Sequence, residues 1–162
     1  MMVAFRYRFR LTIFTTILLI SLAGCAHRHP PQTLNVAACD TGTSLLRLTV
    51  NPGTDFSVWF LNSYDRAYFE EHYRALGDGK ILLTHMTFKS SLNGQGFELG
   101  TYRARPDGSA ELIDINKAMD QIVFRLGSPD MANHTLLIHG HRLPLLDYAD
   151  AGELLCISVQ SQ

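Results

Sequence analysis

Hydrophobic and polar positions alternate in short runs along most of the chain, and few segments carry a sustained helical stripe. Leu46, Leu48 and Val50 face one way and Arg47 and Thr49 the other, and Asn51-Pro52-Gly53 closes this run as a turn. Phe56, Val58 and Phe60 alternate with Ser57, Trp59 and Leu61, which predicts a strand covered on both faces. Asn62 to Arg66 is polar and reads as a loop. Residues 67–76 suit a helix through Phe69 and Tyr73, or a strand through Phe69, Glu71, Tyr73 and Ala75. The turn Gly77-Asp78-Gly79 and the strand-like run after it favour a hairpin over residues 67–88. A second hairpin is expected around Pro106-Asp107-Gly108, a strand at residues 121–126 after a helix-friendly start, and a third hairpin around Gly140. Leu155, Ile157 and Val159 make a closing strand, with Cys156 on the opposite face. Turn residues at intervals of about 8–12 predict one all-β domain, an antiparallel β-sandwich of hairpins.

The N-terminus breaks this pattern. Arg6, Arg8 and Arg10 form a basic segment without an acid, and 12 mainly apolar residues follow from Leu11 to Leu22. A spanning helix needs about 20, so this reads as a secretory signal. It ends in Leu22-Ala23-Gly24-Cys25, which resembles a bacterial lipobox. The expectation is cleavage before Cys25 and acylation of Cys25, with membrane lipid as the partner of the anchored end; several acyl chains hold durably where one does not. The chain then divides into a lipoprotein signal peptide at 1–24, a lipidated N-terminus and tether at 25–37, and a β-sandwich domain at 38–162. Ala26 favours the outer membrane, facing the periplasm.

Composition narrows the partners. With 162 residues, 46% hydrophobic and 18% charged, the chain can pack a core. Its formal charge of −1 lacks the footprint of a nucleic-acid binder. Removing residues 1–24 would take away three arginines and no acid, leaving 138 residues and a charge of −4. In an exported protein Cys39 and Cys156 are expected to close a disulfide between the first and last elements.

Candidate chemistry is sparse. His134, His139 and His141 lie close in sequence, with His72 and His85 elsewhere, but a turn at Gly140 would splay His139 from His141. No zinc-site spacing is present, so these read as exposed turn histidines, and neither metal nor cofactor is expected. There is no nucleophile elbow, and Glu70 and Glu71 would point to opposite faces of a strand. No catalytic residue is assigned. Asn93-Gly94-Gln95-Gly96 offers backbone N–H groups but lacks the Lys-Ser or Lys-Thr of a phosphate loop.

From Leu46 to Val159 the arrangement resembles domain-of-unknown-function family 1850, small exported domains encoded beside TRAP transporters of the TAXI type. The elements that carry the resemblance are the strand and turn LLRLTVNPGTDFSVWF, Asn62-Ser63, Glu70-Glu71-His72-Tyr73, Phe88 to Gly96, and the closing hairpin and strand. Where the family has His-Ser this chain has Asn62-Ser63, and the loss of His removes its best general base. The resemblance implies a non-enzymatic envelope lipoprotein, accessory to a TAXI-type TRAP system that imports organic acids such as dicarboxylates. Asn62, Ser63, Arg66 and Glu71 beside the Gly94 to Gly96 loop form the expected binding cluster. A general envelope interaction module without a transporter partner is the alternative, and a secreted hydrolase would need a pocket gathering histidines and carboxylates.

Overall fold

The computed structural model describes residues 30–89 and 99–161. These residues form two antiparallel sheets packed as a sandwich, with no α-helix among them. The smaller sheet sets β2 (Ser44–Val50), β1 (Gln32–Ala38), β12 (Leu154–Ser161) and β9 (Gln121–Arg125) side by side. The larger runs β11 (His141–Pro144), β10 (Thr135–Ile138), β3 (Asp55–Leu61), β4 (Tyr68–Ala75), β5 (Ile81–Phe88), β7 (Ala110–Ile113) and β6 (Thr101–Ala104). An eighth strand, β8 (Lys117–Met119), pairs with the start of β5.

All three expected hairpins are present, as β4–β5, β6–β7 and β10–β11. Two readings change. Strand β1 lies inside the segment assigned to the tether. Its alternation is short, with Leu34 and Val36 buried on either side of Asn35, and it pairs with both β2 and β12. The helix-friendly residues before 121 are strand β8, because β5 offers them an edge.

The core lies between the inner faces. Leu34, Val36, Leu155 and Ile157 from the smaller sheet meet Phe56, Val58, Ile81 and Leu112 from the larger, all nearly or fully buried. Each such side chain contributes about 1.5–3 kcal/mol by leaving water. Phe60, Phe69 and Phe88 stand opposite one another on β3, β4 and β5 and stack with ring centroids 5.3 Å apart at each step. This ladder fixes the register of the three central strands.

Cys39 and Cys156 form a disulfide, with Cα atoms 5.2 Å apart and a sequence separation of 117. Cys156 does face away from Leu155 and Ile157, and Cys39 meets it there because it follows β1, the neighbour of β12. In the chain-entropy account, closing so long a loop contributes about 4–5 kcal/mol.

Candidate functional site

Among the described residues no strand packs over the outer face of the larger sheet, where Ser57, Thr87 and Glu111 are nonetheless buried, and its polar residues fall into cross-strand rows. One row reads Arg142 on β11, Leu137 on β10, Ser57 on β3, His72 on β4 and His85 on β5, each paired with the next. The neighbouring row carries Trp59, Glu70, Thr87 and Glu111. Residues directly opposite on paired strands share a face, so pairing alone gathers these groups. Between the first row and the tip of the β10–β11 hairpin lies a groove of about 780 Å³, in the range of small-molecule sites.

The two histidines at its floor are organised by a β-bulge. Counting back from Ala75 opposite Ile81, Thr84 should stand opposite His72; the register shifts after Tyr73, and His85 takes that place. The rings stack at 4.0 Å and are nearly parallel, with an interplanar angle of 3°. The extra residue, Thr84, donates its hydroxyl to the His72 carbonyl at 3.0 Å. Its single proton is thereby committed, so the 2.9 Å contact to His85 Nδ1 must be the ring donating to Thr84. Neutral His85 therefore carries its proton on Nδ1 and leaves Nε2 bare. His72 Nε2 meets Thr87 Oγ1 at 3.0 Å. Burial holds the His72 imidazole below its usual pKa; the charge of His85 adds to this, and Glu70 partly offsets it.

The acids of this face are already engaged. Glu70 accepts the Ser57 hydroxyl at 2.6 Å and lies 3.8 Å from His72 Nδ1. Glu111 is held by Arg105 and Arg103, and the Arg105 hydrogen bond draws its carboxyl below the usual range. Asp55 takes two hydrogen bonds from Arg74, at 2.7 and 3.1 Å. Arg142 instead lies over the Trp59 ring, 5.6 Å from its centroid, so its charge reaches back across β10 onto β3. At the lip, His139 and Gly140 both have positive φ, 52° and 77°, which makes a two-residue turn of the mirror-image type I family. His139 in this turn and His141 just after it both line the groove.

This geometry can bind an anion. It does not assemble a hydrolase triad, because Ser57 donates directly to Glu70 and His72 is not interposed between hydroxyl and carboxylate. Among the described residues no three His, Cys, Asp or Glu are grouped to hold a metal ion.

The expected binding cluster is divided. Asn62 braces the β3–β4 connection: its Oδ1 accepts the Tyr64 N–H at 2.9 Å, and its backbone bonds Ala67 and Arg66. Ser63 and Arg66 are exposed in the same loop, Arg66 with φ of 53°. Glu71 is not beside them. It pairs with Val58 on the inner face, four residues and about 13 Å along β4 from Ala67. There it accepts the Tyr73 hydroxyl at 2.6 Å. Burial raises its pKa, and that hydrogen bond recovers part of the shift. Gly94, Gly96 and Cys25 lie outside the described residues.

The histidine readings also change. His134 is not an exposed turn residue: it is 7% exposed, packed between Phe60 of the larger sheet, tilted at 5.0 Å, and Phe124 of the smaller, stacked at 4.4 Å. Burial lowers its pKa to about 4. His72 and His85, with no motif spacing between them, meet only through the hairpin register and its bulge.

No family model matches the chain, and searches of curated proteins and of solved structures find no match.

Proposed function

We propose that this chain is a lipid-anchored envelope protein that binds without turnover and serves a TAXI-type TRAP transporter of organic acids. The observation that carries the binding role is the groove on the outer face of the larger sheet. The domain completes its core on the other face of that sheet, so the polar row from Arg142 to His85 is not needed to close the fold. The signal segment and the lipobox-like Leu22-Ala23-Gly24-Cys25 support the anchor, and the Cys39–Cys156 disulfide suits an oxidising compartment. The transporter partner is supported by the resemblance in the strand, turn and hairpin segments.

The test is isolation of the full-length protein from native membranes after mild crosslinking, with TRAP subunits quantified by mass spectrometry. Enrichment of those subunits, and an N-terminus beginning at acylated Cys25, are the expected results. A lipidated protein with no enriched transporter subunit would leave the general envelope module as the better reading. An N-terminus without acyl chains would remove the anchor.

A further inference from the structure

We propose that the groove binds a small organic carboxylate, with Arg142 as the fixed cation and the His72–His85 pair taking up one proton as the anion enters. This rests on the groove being the binding surface and does not depend on the transporter.

The charge inventory points to an anion. From β3, Asp55 is neutralised by Arg74 of β4. Glu70 faces Ser57 and His72, and Glu111 of β7 faces Arg105 and Arg103. Arg142 has no acidic partner among the described residues, and the Trp59 face beneath it offers little to satisfy its five donors. A carboxylate fits that planar fork by two parallel hydrogen bonds. Leu137 lies between Arg142 and Ser57 in the row and gives the carbon chain an apolar floor.

The histidine pair supplies the second contact. Two imidazolium rings stacked at 4.0 Å would repel, so the pair holds at most one extra proton. With Nδ1 of His85 already donating to Thr84, the incoming proton goes to the bare Nε2, which then becomes a donor to the anion. His139 and His141 stand at the lip of the groove. Affinity should therefore rise as pH falls, by at most about tenfold per unit for one linked proton.

The experiment is calorimetric titration of the full-length, detergent-solubilised protein with succinate and butyrate between pH 5.5 and 8. Uncharged succinamide and inorganic phosphate serve as separate arms. Expected is binding of a carboxylate that tightens toward pH 5.5, with proton uptake read from the buffer dependence of the heat. Arg142→Gln should weaken it at least tenfold with an unchanged melting temperature. Arg142→Lys should restore part of the affinity, and His85→Gln should flatten the pH profile. Absence of carboxylate binding at millimolar concentration, or binding indifferent to Arg142→Gln, overturns the proposal. Equal affinity for phosphate overturns the carboxylate preference. Carboxylate binding without transporter enrichment would sink the partner and keep the ligand; the converse would sink the ligand alone.

Discussion

Strand β4 lays Phe69, Glu71, Tyr73 and Ala75 on one side of the larger sheet and Glu70, His72 and Arg74 on the other. The two carboxylates are sequence neighbours with opposite circumstances. Glu71 faces the smaller sheet, has Tyr73 as its hydrogen-bond partner, and is pushed by burial toward its neutral form. Glu70 faces outward among Ser57, His72 and Thr87, where it accepts the Ser57 hydroxyl and lies 3.8 Å from His72 Nδ1. A covered face tolerates a polar group when it is neutral and bonded, whereas an uncovered one can collect groups whose charge changes. Stability should therefore answer to the inner face and binding to the outer.

The largest separation is expected at residues 87 and 88, which lie on opposite faces of one strand. Phe88→Ala removes a ring that is 2% exposed and ends the aromatic ladder, and should cost about 3–5 kcal/mol in denaturant unfolding. Thr87→Val replaces the hydroxyl at His72 Nε2 with a methyl group of similar size and should cost about 1 kcal/mol. Equal losses would break the distinction between the faces.

The next effect is in acid. His134 is neutral in the folded chain down to about pH 4, whereas the unfolded chain takes up its proton near 6.5. Between those values the unfolded state holds more protons. The contribution of His134 is thus complete above pH 6.5 and lost as pH falls to 4, about 3 kcal/mol in all. His134→Phe, packed between the same two phenylalanines, should remove this part of the pH dependence of unfolding. An unchanged slope would show that another group carries it.

Glu71 has the opposite sign. Its raised pKa contributes stability below the ordinary carboxyl value of 4.5, and that contribution is lost as pH rises through the higher folded value. Glu71→Gln keeps an acceptor for Tyr73 and removes the buried charge. At pH 7 it should raise the melting temperature, a gain of less than about 1 kcal/mol. A fall in stability would mean the ionised carboxylate braces the core.

Much of the sheet was legible because alternation and turn residues are local signals. Leu46, Leu48 and Val50 face the core as their spacing implied, and Gly77 to Gly79 and Gly140 mark real hairpin turns. Strand β1 was hidden, since Gln32-Thr33-Leu34 follows two prolines and becomes a strand only between two partners. The groove was hidden for a sharper reason. Symmetric pairing about the Gly77 to Gly79 turn puts His72 opposite Thr84, and only the bulge brings His85 there. Arg142 and Ser57 join the row through β10, whose pairing with β3 spans about 80 residues of sequence and carries no local mark.

The smallest expected effect lies at the groove lip and tests the comparison most directly. His139 occupies the first central position of the β10–β11 turn with φ of 52°, where an ordinary side chain meets the following carbonyl and Asn-Gly is the favoured pair. His139→Asn should therefore stabilise the hairpin by a few tenths to about 1 kcal/mol, measured by chemical unfolding. Its neighbour Gly140 has φ of 77° and open space where a methyl group would stand, so Gly140→Ala should lose a comparable amount through backbone strain alone. If the lip residue serves binding, His139→Asn should gain stability and lose carboxylate affinity, because the imidazole that lines the groove is gone. Loss of stability with unchanged affinity would place His139 among the structural residues and shorten the binding face to the row from Arg142 to His85.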